Sequence, residues 1–130
     1  KQVNLAISLH APNDTLRSKI MPINRAYPLE ELMRTVRKYI SVTNRRVTFE
    51  YILLRDVNDT EKCALELCSL LKGMNCYVNL IPYNETSHII YKKSEKDQIM
   101  KFYDVLKKHH IQVTIRKEFG TKVSAACGKL

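Results

Sequence analysis

The chain reads as an α/β protein, built from alternating β-α units with parallel strands. Three observations lead there. Short runs over residues 3–9, 47–54, 77–81 and 111–116 carry strand patterning. Amphipathic stretches of helical spacing lie between them. Each stretch is long enough to return the chain to the same end of a sheet, as parallel pairing of successive strands requires. At 130 residues the whole fits one domain with a real core. The units match half of a β/α barrel or a small open sheet.

The first strand alternates: Val3, Leu5, Ile7 and Leu9 share one face, and small Ala6 and Ser8 the other. The loop His10-Ala11-Pro12-Asn13-Asp14 ends it. Pro28 is placed as the first residue of a helix, where a missing N–H costs nothing. Leu29, Leu32, Met33, Val36 and Ile40 then form one apolar stripe. Residues 47–54 are dense in β-branched and aromatic side chains. The loop Asp56-Val57-Asn58-Asp59-Thr60 supplies the cap of a second helix over 60–72, which stops at Gly73. Pro82 ends the third strand, and residues 84–93 form a polar loop. Ser94, with Asp97 three residues on, resembles a capping box for a third helix lined by Ile99, Phe102, Tyr103 and Leu106. The nearly continuous apolar strands predict a sheet covered by helices.

Hydrophobic residues at 45% and charged residues at 27% mark a folded chain, not a disordered one. No apolar run approaches the ~20 residues of a membrane helix. The chain opens at Lys1 with no initiator Met and no signal peptide, so a piece of a longer protein is expected. A net charge of +9 points to polyanions such as nucleic acid, or else to lysine-rich faces that keep the surface solvated. The basic pairs Arg45-Arg46, Lys92-Lys93, Lys107-Lys108 and Arg116-Lys117 bear either reading. All three glycines are isolated, which disfavours a phosphate loop, and with it NAD binding or nucleotide hydrolysis. The four cysteines have no C-x-x-C spacing, against a zinc ribbon or a thioredoxin-type site. They are also too scattered to hold an iron–sulfur cluster alone. Cys63, Cys68 and Cys76 sit among apolar neighbours and read as core thiols of a reducing compartment.

Parallel α/β folds carry their chemistry at the C-terminal ends of strands. That rule selects Ser8 and His10, residues 54–58, Asn84 and the tail after Arg116. Ser8-Leu9-His10 is either a ligand-binding rim or ordinary strand-end polarity. Asn84 either offers its amide to a ligand or closes a turn. Glu50, within a strand, must face a barrel interior near the rim or pair with a basic residue. Cys127 lies between Ala126 and Gly128, with little bulk around it. That suits a thiol reached by something large, or a tight turn near a chain end. A pairing of Cys127 with His10 as base lacks a third orienting residue, and no protease motif is present.

Several blocks are familiar together. Leu5-Ala6-Ile7-Ser8-Leu9-His10-Ala11, Leu16-Arg17-Ser18, Met21-Pro22-Ile23-Asn24 and Tyr27-Pro28-Leu29 open the set. Thr48-Phe49-Glu50-Tyr51-Ile52-Leu53-Leu54 and Val57-Asn58-Asp59 continue it. Val78-Asn79-Leu80-Ile81-Pro82-Tyr83-Asn84 and Ala125-Ala126-Cys127-Gly128 complete it. In this order they resemble the RlmN/Cfr family of radical-SAM RNA methyltransferases. Lys129, where the family usually has Gln, and the 84–94 loop depart from its pattern.

The resemblance implies that residues 1–130 are the C-terminal half of a partial (β/α) TIM-like barrel. The cluster-binding half, with its C-x-x-x-C-x-x-C motif, and an N-terminal RNA-binding domain would lie upstream. It implies that Ser8, Leu9, His10 and Asn84 bind S-adenosyl-L-methionine, and that Cys127 becomes S-methylated and then joins the RNA base. The [4Fe-4S] cluster of the full-length protein would have its ligands outside this chain. The family's chemistry answers a physical problem, since an electron-poor adenine carbon cannot attack a sulfonium methyl. The methyl is first moved to the thiolate, then activated by a radical made from a second S-adenosylmethionine. The implied substrates are 23S rRNA and tRNA, methylated at adenine C2, with flavodoxin or ferredoxin as electron donor and no membrane. The piece alone is expected to be inactive. Methylation at C8, or a non-catalytic RNA-binding role for the basic surface, are the alternatives. The expected location is the cytoplasm of a bacterium, or a plastid or mitochondrion in a eukaryote.

Overall fold

The computed structural model describes residues 5–85 and 90–116. Its strands are β1 (Ala6–Ser8), β2 (Val47–Leu53), β3 (Cys76–Pro82) and β4 (Gln112–Ile115). Its α-helices are α1 (Asp14–Ile20), α2 (Leu29–Thr43), α3 (Glu61–Leu71) and α4 (Lys96–Lys108), with a 3-10 turn over Pro22–Arg25. The sheet order is β1-β2-β3-β4, and every neighbouring pair is parallel. Successive strands as nearest neighbours, joined by right-handed crossovers, place all their helices on one face. This is the repeating step of a β/α barrel, not of a sheet wound in both directions.

Burial bears this out. Along β2, Val47, Phe49, Tyr51 and Leu53 are buried while the intervening residues are partly exposed. β3 does the same with Cys76, Val78, Leu80 and Pro82. The buried set packs against Leu29, Met33 and Val36 of α2, Ala64, Leu67 and Leu71 of α3, and Ile99, Phe102 and Leu106 of α4. Tyr51 and Phe102 meet at a centroid distance of 5.1 Å, which ties β2 to α4. The other face of the sheet carries Ser8, Thr48, Glu50, Tyr77, Asn79 and Thr114, all exposed or half-exposed. Among the described residues the expectation of a covered sheet therefore holds for one face only. Parallel sheets are ordinarily covered on both.

Three local expectations are corrected. Asp14, expected to close a loop, instead opens a helix over 14–20, a stretch to which the sequence reading assigns no element. Asn13 caps it, its Oδ1 accepting the Leu16 N–H at 2.9 Å. Pro28 is the residue before α2, not its first turn, and the Leu29 N–H is instead met by Asp14 Oδ1 at 2.8 Å. Ser94 does not cap α4: its hydroxyl donates to Asp59 Oδ2 at 2.6 Å, and Glu95 precedes the helix without a side-chain cap. The 56–60 loop supplies the cap of α3 as expected, through Thr60, which accepts from the Cys63 N–H at 3.2 Å. Gly73 follows α3 at φ 75°, the left-handed region where a side chain is strained.

Candidate active site at the strand ends

β1 leaves the sheet at His10, which adopts a left-handed φ of 62°. Just before, the Leu9 and His10 N–H groups both donate to the Glu50 carbonyl, at 2.9 and 3.3 Å. The imidazole then replaces the strand it ends: Nδ1 accepts the Ile52 N–H at 2.9 Å. With Nδ1 committed as acceptor, the neutral ring carries its proton on Nε2. Burial lowers the His10 pKa, Glu50 pulls the other way, and Arg17 adds to the lowering.

Asn58, wholly buried, closes the neighbouring strand end. Its Oδ1 accepts the Leu54 N–H at 2.7 Å, and its Nδ2 donates to the His10 carbonyl at 2.8 Å and the Ile52 carbonyl at 2.7 Å. Its own carbonyl takes the Tyr51 hydroxyl at 2.7 Å. Burial pushes that phenol far above its usual range, so it stays a donor.

A buried cation holds β1 from the other side. Arg17 is 5% exposed. Its Nε donates to the Leu9 carbonyl and one terminal nitrogen to the Ser8 carbonyl, both at 2.9 Å. The other terminal nitrogen donates to Asn24 Oδ1 at 2.8 Å. Asn24 Nδ2 in turn donates to Asp14 Oδ1 at 3.0 Å. One acid, Asp14, thus links the Arg17 clamp to the start of α2. The Arg17 pKa is lowered by burial, with Asp14 opposing.

The strand register aligns four polar residues across the open face: Ser8 with Glu50, Glu50 with Asn79, and Asn79 with Thr114. Of the alternatives for Glu50, the pairing with a basic residue is the one seen. It lies on the open face, and its carboxylate pairs with Arg116 at 3.3 Å. Ser8 is exposed at the β1 end, and Asn84 is exposed just beyond β3. Leu9 has its side chain wholly in the core, so only its backbone belongs to the rim. Cys127 lies outside the described residues. Asn58 falls within the strand-end residues 54–58 that the sequence selects, but its clamping role was not foreseen, and Arg17 was not singled out as a site-building residue. The one available signal was an Asn four residues beyond Leu54, after a strand.

Cys63, Cys68 and Cys76 are buried, as expected. Burial raises all three thiols, Cys76 to about 11. No group of three or more metal-ligating side chains stands together among the described residues. No helix among them is long and apolar enough to cross a membrane.

The chain is 57% identical over 129 residues to a probable dual-specificity RNA methyltransferase RlmN of Spiroplasma citri, covering 99% of this chain and 37% of that protein. A protein of the same name from Caldanaerobacter subterraneus subsp. tengcongensis is 54% identical, with 99% and 38% covered. A radical SAM methyltransferase from Sphaerobacter thermophilus superposes with a TM-score of 0.90 at 48% identity, over 98% of this chain and 37% of that one. A domain of a pyruvate-formate lyase-activating enzyme from Bacteroides vulgatus shares the fold alone, with a TM-score of 0.70 at 18% identity over 87% of this chain and 66% of that one. No protein-family profile matches. The chain spans little more than a third of the length of the curated relatives it matches.

Proposed function

From a chain related over its whole length to RlmN methyltransferases of the radical-SAM class, we infer that these residues carry one part of an enzyme that methylates adenine in RNA with S-adenosylmethionine. The observation that carries the reading is identity of 57% sustained over 99% of the chain. The substrate we propose is adenine C2 in 23S rRNA and tRNA, in the bacterial cytoplasm, with flavodoxin or ferredoxin as reductant.

The open face suits a polar ligand of that size. It presents a row of hydroxyl, carboxylate and amide groups where a parallel sheet would otherwise be covered. Ser8, the backbone at Leu9 and His10, and Asn84 would hold the cofactor. Bound there, S-adenosylmethionine supplies an activated methyl group. The Arg17 and Asn58 clamps keep the rim in one shape before any ligand arrives, so little ordering is left to binding. Cys127 is assigned the thiolate that accepts the methyl and passes it to the adenine. An iron–sulfur cluster does not fit the described thiols: two lie on α3 and one on β3, all buried, and burial favours their protonated form.

The test is methylation of an rRNA fragment by the full-length protein with S-adenosylmethionine and a reductant, the base then mapped by mass spectrometry. A methyl at C2 is expected. A methyl at C8 would correct the regiochemistry, and an unmodified base would overturn the reading.

A further inference from the structure

We propose that Glu50 is a further ligand-binding residue of the open face, its carboxylate accepting hydrogen bonds from the vicinal hydroxyls of a nucleoside ribose. This rests on the reading of the face as an S-adenosylmethionine site. The register places Glu50 level with Ser8 on one side and Asn79 on the other. Among the described strand residues on this face it is the one carboxylate. Glutamate is a poor strand former, and its position midway along β2 asks for a reason. Fold stability does not supply one. The pair with Arg116 is 3.3 Å long, its side chains 44% and 31% exposed, and such pairs contribute little.

The pair does select the ligand chemistry. An ionised carboxylate is an acceptor with two oxygens and lone pairs to spare beyond one guanidinium contact. Arg116 already neutralises Glu50, so an ammonium or sulfonium would have to displace it. A neutral diol need not: two adjacent O–H donors add to the free lone pairs while Arg116 stays. Acidic side chains near strand ends accept ribose hydroxyls in other nucleotide-binding α/β folds for the same reason. The Ser8 hydroxyl, beside Glu50 in the row, can complete the contact as donor or acceptor.

The experiment titrates S-adenosylmethionine and its 2′-deoxy and 3′-deoxy analogues into the full-length protein, as wild type, Glu50→Gln and Arg116→Gln. Wild type is expected to favour the intact ribose by about tenfold, the worth of one hydrogen bond to a charged group. Glu50→Gln should weaken the parent ligand by about that factor and leave the deoxy analogues within about twofold, erasing the preference. Arg116→Gln should retain it. An undiminished preference in Glu50→Gln overturns the proposal. So does equal loss of all three ligands, which would make Glu50 structural. Wild type binding with no preference for the intact ribose sinks this inference alone; wild type that binds no S-adenosylmethionine sinks the site reading with it.

Discussion

The side-chain amide of Asn58 donates to the main-chain carbonyl of His10 across 2.8 Å, joining residues 48 positions apart. The loop after β2 thereby fixes the point where β1 turns away from the sheet. The same amide satisfies Ile52 and Leu54, so one buried side chain finishes two strand ends.

Asn58→Ala should therefore destabilise by about 3 kcal/mol, since it leaves the Leu54 N–H and two carbonyls without partners in the interior. Asn58→Asp should be no better, because its carboxylate would face the His10 and Ile52 carbonyls. Urea unfolding of the purified protein measures both. Wild-type stability in Asn58→Ala would refute the clamp.

Arg17→Ala removes donors from the Ser8 and Leu9 carbonyls and from Asn24. A loss of about 3 kcal/mol is expected. Arg17→Lys should recover only a minor part, because an ammonium cannot reproduce the planar fork that reaches three acceptors. Full recovery by Lys would mean that charge, not geometry, is what β1 needs.

The pH response follows from His10. In the folded chain its pKa lies below the ordinary 6.5, mainly through burial, and Nδ1 is already taken by the Ile52 N–H. The unfolded chain binds the proton more readily. This contribution to stability is thus complete above the unfolded value and is lost as pH falls toward the folded one. His10→Asn keeps an acceptor near Nδ1 and tolerates the left-handed backbone. Urea midpoints should fall less steeply for His10→Asn than for wild type between about pH 7 and pH 5. Identical slopes would contradict the assignment.

Much of this was readable from residue order, and the exceptions share a cause. β2 and α3 declare themselves through local pattern: density of β-branched and aromatic residues in one, the capping loop and Gly73 stop in the other. α1 did not, because a helix of seven residues is too short to be specified by its own sequence; Asn13 and the Arg17 network hold it. Ser94 misled for the same reason, since its hydroxyl serves Asp59, 35 positions away. The rim residues Ser8, His10 and Asn84 followed from strand ends. Arg17 and Asn58 act through individual side-chain bonds, to residues four to nine positions away and, for Asn58, to His10 48 positions away, which apolar periodicity does not register.

Cysteine reactivity separates the thiols. Cys63, Cys68 and Cys76 are buried and their thiolates disfavoured, so they should resist alkylation in the native protein. Cys127, the proposed methyl acceptor, should be modified first. Peptide mapping after brief iodoacetamide treatment reads the order, and early labelling of Cys76 would contradict the packing.

The most direct measurement transfers labelled methyl from S-adenosylmethionine to an rRNA fragment, comparing the full-length protein with its Cys127→Ala variant. The account predicts labelled adenine with the first and none with the second, at unchanged S-adenosylmethionine affinity. Equal labelling by both would contradict it.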